Sequence, residues 1–148
     1  MPKKPLSKPA PADFTIDDQI GHVLRRAYQA ASAHLARRLK PYDLKPQQFA
    51  TLQRLRELGP TSQNRLGEAV DMPRANIHKM VERLYQRGLV ELRADPADAR
   101  VRLVALTGEG HRLAEELIPL DLASTEDALA PLSDGERKTL YDLLRRIL

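Results

Sequence analysis

Residues 72–107 read "MPRANIHKMVERLYQRGLVELRADPADARVRLVALT". Pro73 fits the first turn of a helix and Gly88 fits its stop. Between them Ile77, Met80, Val81 and Leu84 share one helical stripe, which predicts a buried face. The outer face has Ala75, Asn76, Lys79, Arg83 and Gln86, flanked by Arg74 and His78. Two apolar, β-prone runs follow, at about 89–94 and 101–106, separated by a charged loop. That loop holds Asp95, Pro96, Asp98 and Arg100, residues that form turns and cannot support a core.

The segment ahead completes a pattern. "TSQNRLGEAVD" (61–71) predicts a short helix that Ser62 caps, with Leu66, Ala69 and Val70 apolar. The order is then helix, tight turn, helix, two-stranded hairpin: a winged helix-turn-helix. Its logic is physical. The first helix braces the second, and the second enters the major groove, where each base pair shows a distinct donor and acceptor pattern. The hairpin can reach the neighbouring minor groove, whose concentrated negative potential draws an arginine. On this reading Arg100 enters the minor groove and Asp98 holds its guanidinium, while Arg102 meets flanking phosphates. Arg74, Asn76, His78, Lys79 and Arg83 are the candidates on the second helix. Each has a plain alternative: Asp98 and Arg100 as a surface ion pair, the helix cations as a solvated face, Asn76 as a local hydrogen bonder.

The flanks are helical. "IDDQIGHVLRRAYQAASAHLARRL" (16–39) predicts one long helix, with Ile20, Val23, Leu24, Ala27, Ala31, Leu35 and Leu39 on a stripe and Pro41 as the stop. "LKPQQFATLQRLRELG" (44–59) predicts a second, with Phe49, Leu52, Leu55 and Leu58 apolar. After the hairpin, Thr107 caps a long helical stretch that bends near Pro119. Ser133 and Glu136 form a capping box for a last helix whose Leu140, Leu143, Leu144 and Ile147 face inward. "MPKKPLSKPAPAD" (1–13) predicts an extended basic arm.

Composition narrows the function. The chain has 148 residues, 42% hydrophobic and 30% charged, which suits a globular protein. No run approaches a membrane span and no signal sequence is recognisable, so no membrane contact and a cytoplasmic location are expected. There is no cysteine, which excludes disulfides, thiolate metal sites and a cysteine nucleophile. His22, His34, His78 and His111 lack metal-site spacing, and no P-loop, GxGxxG or GxSxG occurs. An enzyme is not expected, nor a cofactor. The net charge of +4 is unevenly spread: residues 1–60 carry 11 Lys/Arg against 5 Asp/Glu, and residues 108–148 carry 5 against 9. A basic N-terminal two thirds favours a polyanionic partner.

Three stretches carry a family resemblance: "LKPQQFATLQRL", "LGEAVDMPRANIHKMVERLYQRGLVE" and "DPADARVRLVALTGEG". The chain resembles the multiple-antibiotic-resistance regulator (MarR) family of bacterial transcription factors over about residues 16–148. The wing pattern D-x-R, five residues, L-T is matched by Asp98, Arg100, Leu106 and Thr107, with Gly110 following. Ala99 stands where a second arginine is common, and His78 where a small hydroxyl residue is common. The implied fold is mainly α with a small β-hairpin wing: a winged helix-turn-helix (41–107) on an interlocked helical dimerisation lobe (14–40 and 108–148), behind a flexible basic, proline-rich tail (1–13).

The resemblance also implies a homodimer on a pseudo-palindromic operator in double-stranded DNA. It implies a repressor released by a small anionic effector, an aromatic acid or aromatic acyl-CoA thioester, held between the two lobes. His22, Arg25, Gln29 and Ser32 on one stripe of the first helix, with Arg26 beside it, are the candidates to hold that anion. Rival readings are an effector-independent DNA-binding activator or architectural protein, and a small-molecule protein that merely uses the scaffold.

Overall fold

The computed structural model describes residues 12–148. Most of the expected basic arm, residues 1–11, lies outside the described residues. Seven α-helices and three short strands are described: α1 (Ile20–Leu39), α2 (Pro46–Leu58), β1 (Thr61–Ser62), α3 (Gln63–Ala69), α4 (Arg74–Gln86), β2 (Val90–Ala94), β3 (Arg102–Leu106), α5 (Gly108–Glu116), α6 (Ile118–Leu129) and α7 (Asp134–Arg145). Among the described residues no helix is long and apolar enough to cross a membrane.

The single long helix expected over 16–39 is broken. Ile16–Asp18 form a 3-10 turn capped by the Thr15 side chain, Gln19 is extended, and α1 begins at Ile20. The stretch after the wing also divides, at Leu117, so that Pro119 stands in the first turn of α6, where its missing N–H costs nothing. The Ser133–Glu136 capping box forms, with the Ser133 N–H donating to Glu136 Oε2 at 2.8 Å.

The wing is more than a hairpin. β1 adds to it in the order β1-β3-β2, all antiparallel, with Thr61 opposite Val104 and Val90 opposite Leu106. Two residues with no strand signal become a strand because β3 offers them a free edge. This stitches the start of α3 to the base of the wing.

The core is built around α2. Leu52 and Leu55 are essentially sealed from solvent, as are Leu39 of α1, Ile77 and Leu84 of α4, Val104 of β3 and Leu117. Each such side chain contributes about 1.5–3 kcal/mol by leaving water. The terminal helices behave differently, and the expectation for the last helix needs correcting. Only Leu35 and Leu39 of the α1 stripe are buried, while Ile20 and Val23 are exposed. Leu140 and Leu143 of α7, and Ile147 just beyond it, are exposed rather than inward, and Leu144 is half-buried. The described residues leave Ile20, Val23, Leu140, Leu143 and Ile147 uncovered, although α1 packs on α6 through its other residues.

Candidate nucleic-acid interface and the groove behind it

The α3–α4 pair is set by a close approach. Ser62 Oγ accepts the Arg65 N–H at 3.3 Å and starts α3. Met72 N–H donates to the Gly67 carbonyl at 2.8 Å, and Asp71 takes a left-handed conformation (φ 52°) to close the turn. A Cβ on Gly67 would stand 2.9 Å from the Met72 carbonyl oxygen and 3.4 Å from Ile77 Cγ2. Only glycine lets α3 sit this close to α4.

One face of this pair forms a cleft with the base of the wing. It is lined by Ser62, Gln63 and Asn64, by Arg74, Ala75, His78 and Lys79 of α4, and by Arg102 of β3. The Nδ1 atom of His78 lies 3.3 Å from Gln63 Oε1. Arg74, Lys79 and Arg102 have no ion-pair partner among the described residues. The contrast with the terminal helices is plain: there Arg112 is paired with Glu109 and Glu116, Arg38 with Asp127, and Arg137 with Glu126. Cations left uncompensated along a cleft favour a polyanion.

Two aspartates shape the wing tip, each with a separate task. Asp95 Oδ1 accepts the Ala97 N–H at 2.8 Å, and Asp98 Oδ1 accepts the Arg100 N–H at 3.0 Å; both are Asx turns. The same Asp98 oxygen is 3.2 Å from Arg100 Nε, so one carboxylate fixes both the backbone and the guanidinium. The Arg100 side chain is 92% exposed, aimed away from the fold. At the other end of the wing Thr107 Oγ1 donates to the Gly88 carbonyl (2.6 Å) and accepts the Gly110 N–H (3.0 Å). Gly110 is required here. A Cβ would run into the Leu89 carbonyl oxygen and stand 3.2 Å from Leu106 Cδ2.

Behind α4 lies an open groove of about 790 Å³. Tyr28, Ser32 and Leu35 come from α1, Gln47, Phe49 and Ala50 from α2, Asn76, Lys79, Met80 and Arg83 from α4, and Asp121 from α6. Asn76 and Arg83, expected among the DNA-facing residues, therefore line this groove rather than the cleft. Lys79 lines both.

The residues expected to hold an anion are divided. Of His22, Arg25, Arg26, Gln29 and Ser32, only Ser32 lines the groove. His22 and Arg26 are tied instead to Asp17, with His22 Nε2 at 3.3 Å and Arg26 Nη1 at 3.2 Å from Oδ1. Arg25 Nη2 is 3.1 Å from His22 Nδ1. Gln29 is exposed and outside the groove lining. The 3-10 turn at 16–18 brings Asp17 back over α1, which the expectation of a continuous helix hid.

The MarR family profile matches residues 42–101. The chain is 38% identical to the HTH-type transcriptional repressor NicR of Pseudomonas putida, over 100% of this chain and 96% of that one. The chain belongs to the MarR family. A probable transcriptional regulator from Pseudomonas aeruginosa has the same fold, with a TM-score of 0.85 and 42% identity over 90% of this chain and 100% of that one. BpsR of Bordetella bronchiseptica, described with a mechanism by which 6-hydroxynicotinic acid regulates its DNA binding, gives a TM-score of 0.84 and 34% identity over 90% of this chain and 96% of that one. This MarR chain is thus a winged-helix, DNA-binding transcription regulator rather than an enzyme.

Sequence reasoning missed Gln63 and Asn64 in the cleft and Phe49, Met80 and Asp121 in the groove. A signal existed for one of them: Asp121 is a lone carboxylate inside the apolar run "LIPLDLA". Phe49 and Met80 carry the periodicity of core residues and could not be told from them.

Proposed function

We propose that this MarR protein is a homodimeric transcriptional repressor, acting in the cytoplasm on a pseudo-palindromic operator and released from it by a small anionic aromatic ligand. One observation carries the ligand response. α4 presents Arg74, His78 and Lys79 to the cleft and Asn76, Lys79 and Arg83 to the groove. A molecule in the groove therefore bears on the same helix, and the same lysine, that meets DNA. An anion that draws the Lys79 ammonium into the groove favours the state that binds DNA less well. Only such a difference in affinity between states can shift the equilibrium.

The DNA contacts follow from the cleft and the wing. Arg74, His78 and Lys79 read or anchor in the major groove, Arg102 neutralises phosphate, and Arg100, held by Asp98, reaches the minor groove. The dimerisation lobe is residues 14–40 with 108–148, and the DNA-binding lobe is 41–107. Support for the dimer comes from the exposed Phe14, Ile16, Ile20, Leu122, Leu143 and Ile147, large apolar side chains of the terminal segments that a partner chain would cover. The regulation described for BpsR supports a ring of the size of 6-hydroxynicotinic acid as effector. A basic cleft lined by Arg37, Lys40, Lys45 and Arg87 shares Pro46 and Arg83 with the groove. It supports a second reading, in which the effector is an aromatic acyl-CoA thioester with its phosphates there.

Fluorescence anisotropy on DNA from upstream of the protein's own gene, across a salt series, tests both halves. The expected result is selective binding that weakens with salt and is lifted by 6-hydroxynicotinic acid or a related acid. Binding no tighter than to random DNA would refute the repressor. Selective binding indifferent to every acid and thioester would leave an effector-independent DNA-binding protein.

A further inference from the structure

The groove is chemically two-sided, and this feature is not explained by anion binding. Lys79 and Arg83, both without an ion-pair partner among the described residues, suit a carboxylate. Tyr28 and Phe49 give it aromatic walls. Two carboxylates also stand in the lining. Asp71 is exposed on the α3–α4 turn, where water solvates it. Asp121 is different. It stands in the first turn of α6, half-buried, with no ion pair or side-chain hydrogen bond among the described residues. Burial raises its carboxyl above the ordinary range.

A half-buried, unpaired carboxylate works against an anionic ligand twice. It repels the charge, and a ring edge of plain C–H groups laid over it would strip its remaining water with nothing in exchange. A ring that offers an N–H or O–H at that edge does the opposite. It supplies a charge-assisted hydrogen bond, about twice as strong as a neutral one. We infer that Asp121 is a specificity-determining residue, admitting aromatic acids that carry an N–H or O–H donor on the ring away from their carboxylate and rejecting acids without one. The inference rests on the effector reading above. It narrows the ligand class from aromatic acids in general to hydroxylated or lactam-bearing ones, with Lys79 and Arg83 on the carboxylate and Asp121 on the donor.

The test is a pair of ligands on three proteins. 6-Hydroxynicotinic acid carries a ring hydroxyl, or the N–H of its lactam form; nicotinic acid has the same ring and carboxylate without that donor. Calorimetric titration of the full chain is expected to show a preference for the hydroxylated acid of about tenfold or more. In Asp121→Ala the preference should fall to within about threefold, with nicotinic acid binding more tightly than it does to the wild type. Asp121→Asn, which keeps an acceptor but no charge, should fall between. An unchanged ratio in Asp121→Ala, or equal binding of the two acids by the wild type, overturns the role of Asp121 and leaves the groove as an effector site. Failure of the wild type to bind either acid overturns the effector reading for this class, and the inference with it. Because Asp121 makes no side-chain hydrogen bond among the described residues, the variants should melt with the wild type.

Discussion

Arg100→Ala isolates the wing. The residue is 92% exposed, and among the described residues its only side-chain partner is Asp98 at 3.2 Å. A solvated pair of this kind contributes about 0–1 kcal/mol to folding, so the variant should melt within about 4 °C of the wild type. Its cost falls on DNA. Loss of one specific contact costs about 1–3 kcal/mol, and a two-fold dimer has two wings, so the operator complex should weaken by about 2–6 kcal/mol. At 1.4 kcal/mol per factor of ten, that is roughly 30-fold at the least. Asp98→Ala should cost less. It keeps the guanidinium but frees both it and the turn at the Arg100 N–H, and reordering the side chain on binding costs about 0.5–1.5 kcal/mol. Anisotropy titrations at one fixed salt concentration, with the operator and with random DNA, give both numbers. An operator dissociation constant unchanged by Arg100→Ala, or an Asp98→Ala loss larger than that of Arg100→Ala, would refute the reasoning.

Three further outcomes are expected. Gly110→Ala drives a methyl group into the Leu89 carbonyl, which also accepts the Thr107 N–H at 3.1 Å; overpacking of about 1–3 kcal/mol should lower the melting temperature by roughly 3–12 °C, read by circular dichroism. Leu143 and Ile147 are 52% and 64% exposed, so changing both to aspartate should leave each chain folded yet turn a micromolar dimer into a monomer by sedimentation; a wild type that already sediments as a monomer contradicts the dimer. The Arg38 guanidinium, with Nη2 2.6 Å from Asp127 Oδ2, holds the Asp127 carboxyl below its ordinary range. A carboxylate with a lowered folded-state pKa stabilises at neutral pH and loses that contribution as pH falls from about 4 through its folded value. Asp127→Asn should therefore lose less melting temperature between pH 7 and about pH 3 than the wild type does, and an equal loss would show that the pair does not couple to folding.

Much of the fold was legible because local signals and tertiary structure agree. Pro73 and Gly88 bracket α4, Thr107 and Ser133 cap their helices, and the stripe of Ile77, Val81 and Leu84 is buried as its spacing requires. What was not legible depended on partners remote in sequence. Thr61 and Ser62 form a strand only because Val104 and Leu103 lie beside them. The stripes of α1 and α7 look like core, since periodicity reports that a face is apolar and not which chain covers it. The two surfaces of α4 were the hardest to separate. On a helical wheel Asn76 and Arg83 look as solvent-facing as Arg74 and His78, and both are exposed; only the open groove that α4 shares with residues of α1, α2 and α6 sets them apart. His22, Arg25 and Arg26 make a persuasive stripe in sequence, but the turn at 16–18 gives His22 and Arg26 an acidic partner in Asp17.

Lys79 belongs to both surfaces, and that constrains heredity. Under the proposed function, a lineage that acquires a new operator through this position changes its response to the inducer in the same step, and the reverse is equally true. Arg74 and His78 line the cleft and not the groove, and Tyr28 and Asp121 line the groove and not the cleft. Divergence of copies of this gene toward new signals and new targets should therefore run along those positions in separate steps, with Lys79 the last to change.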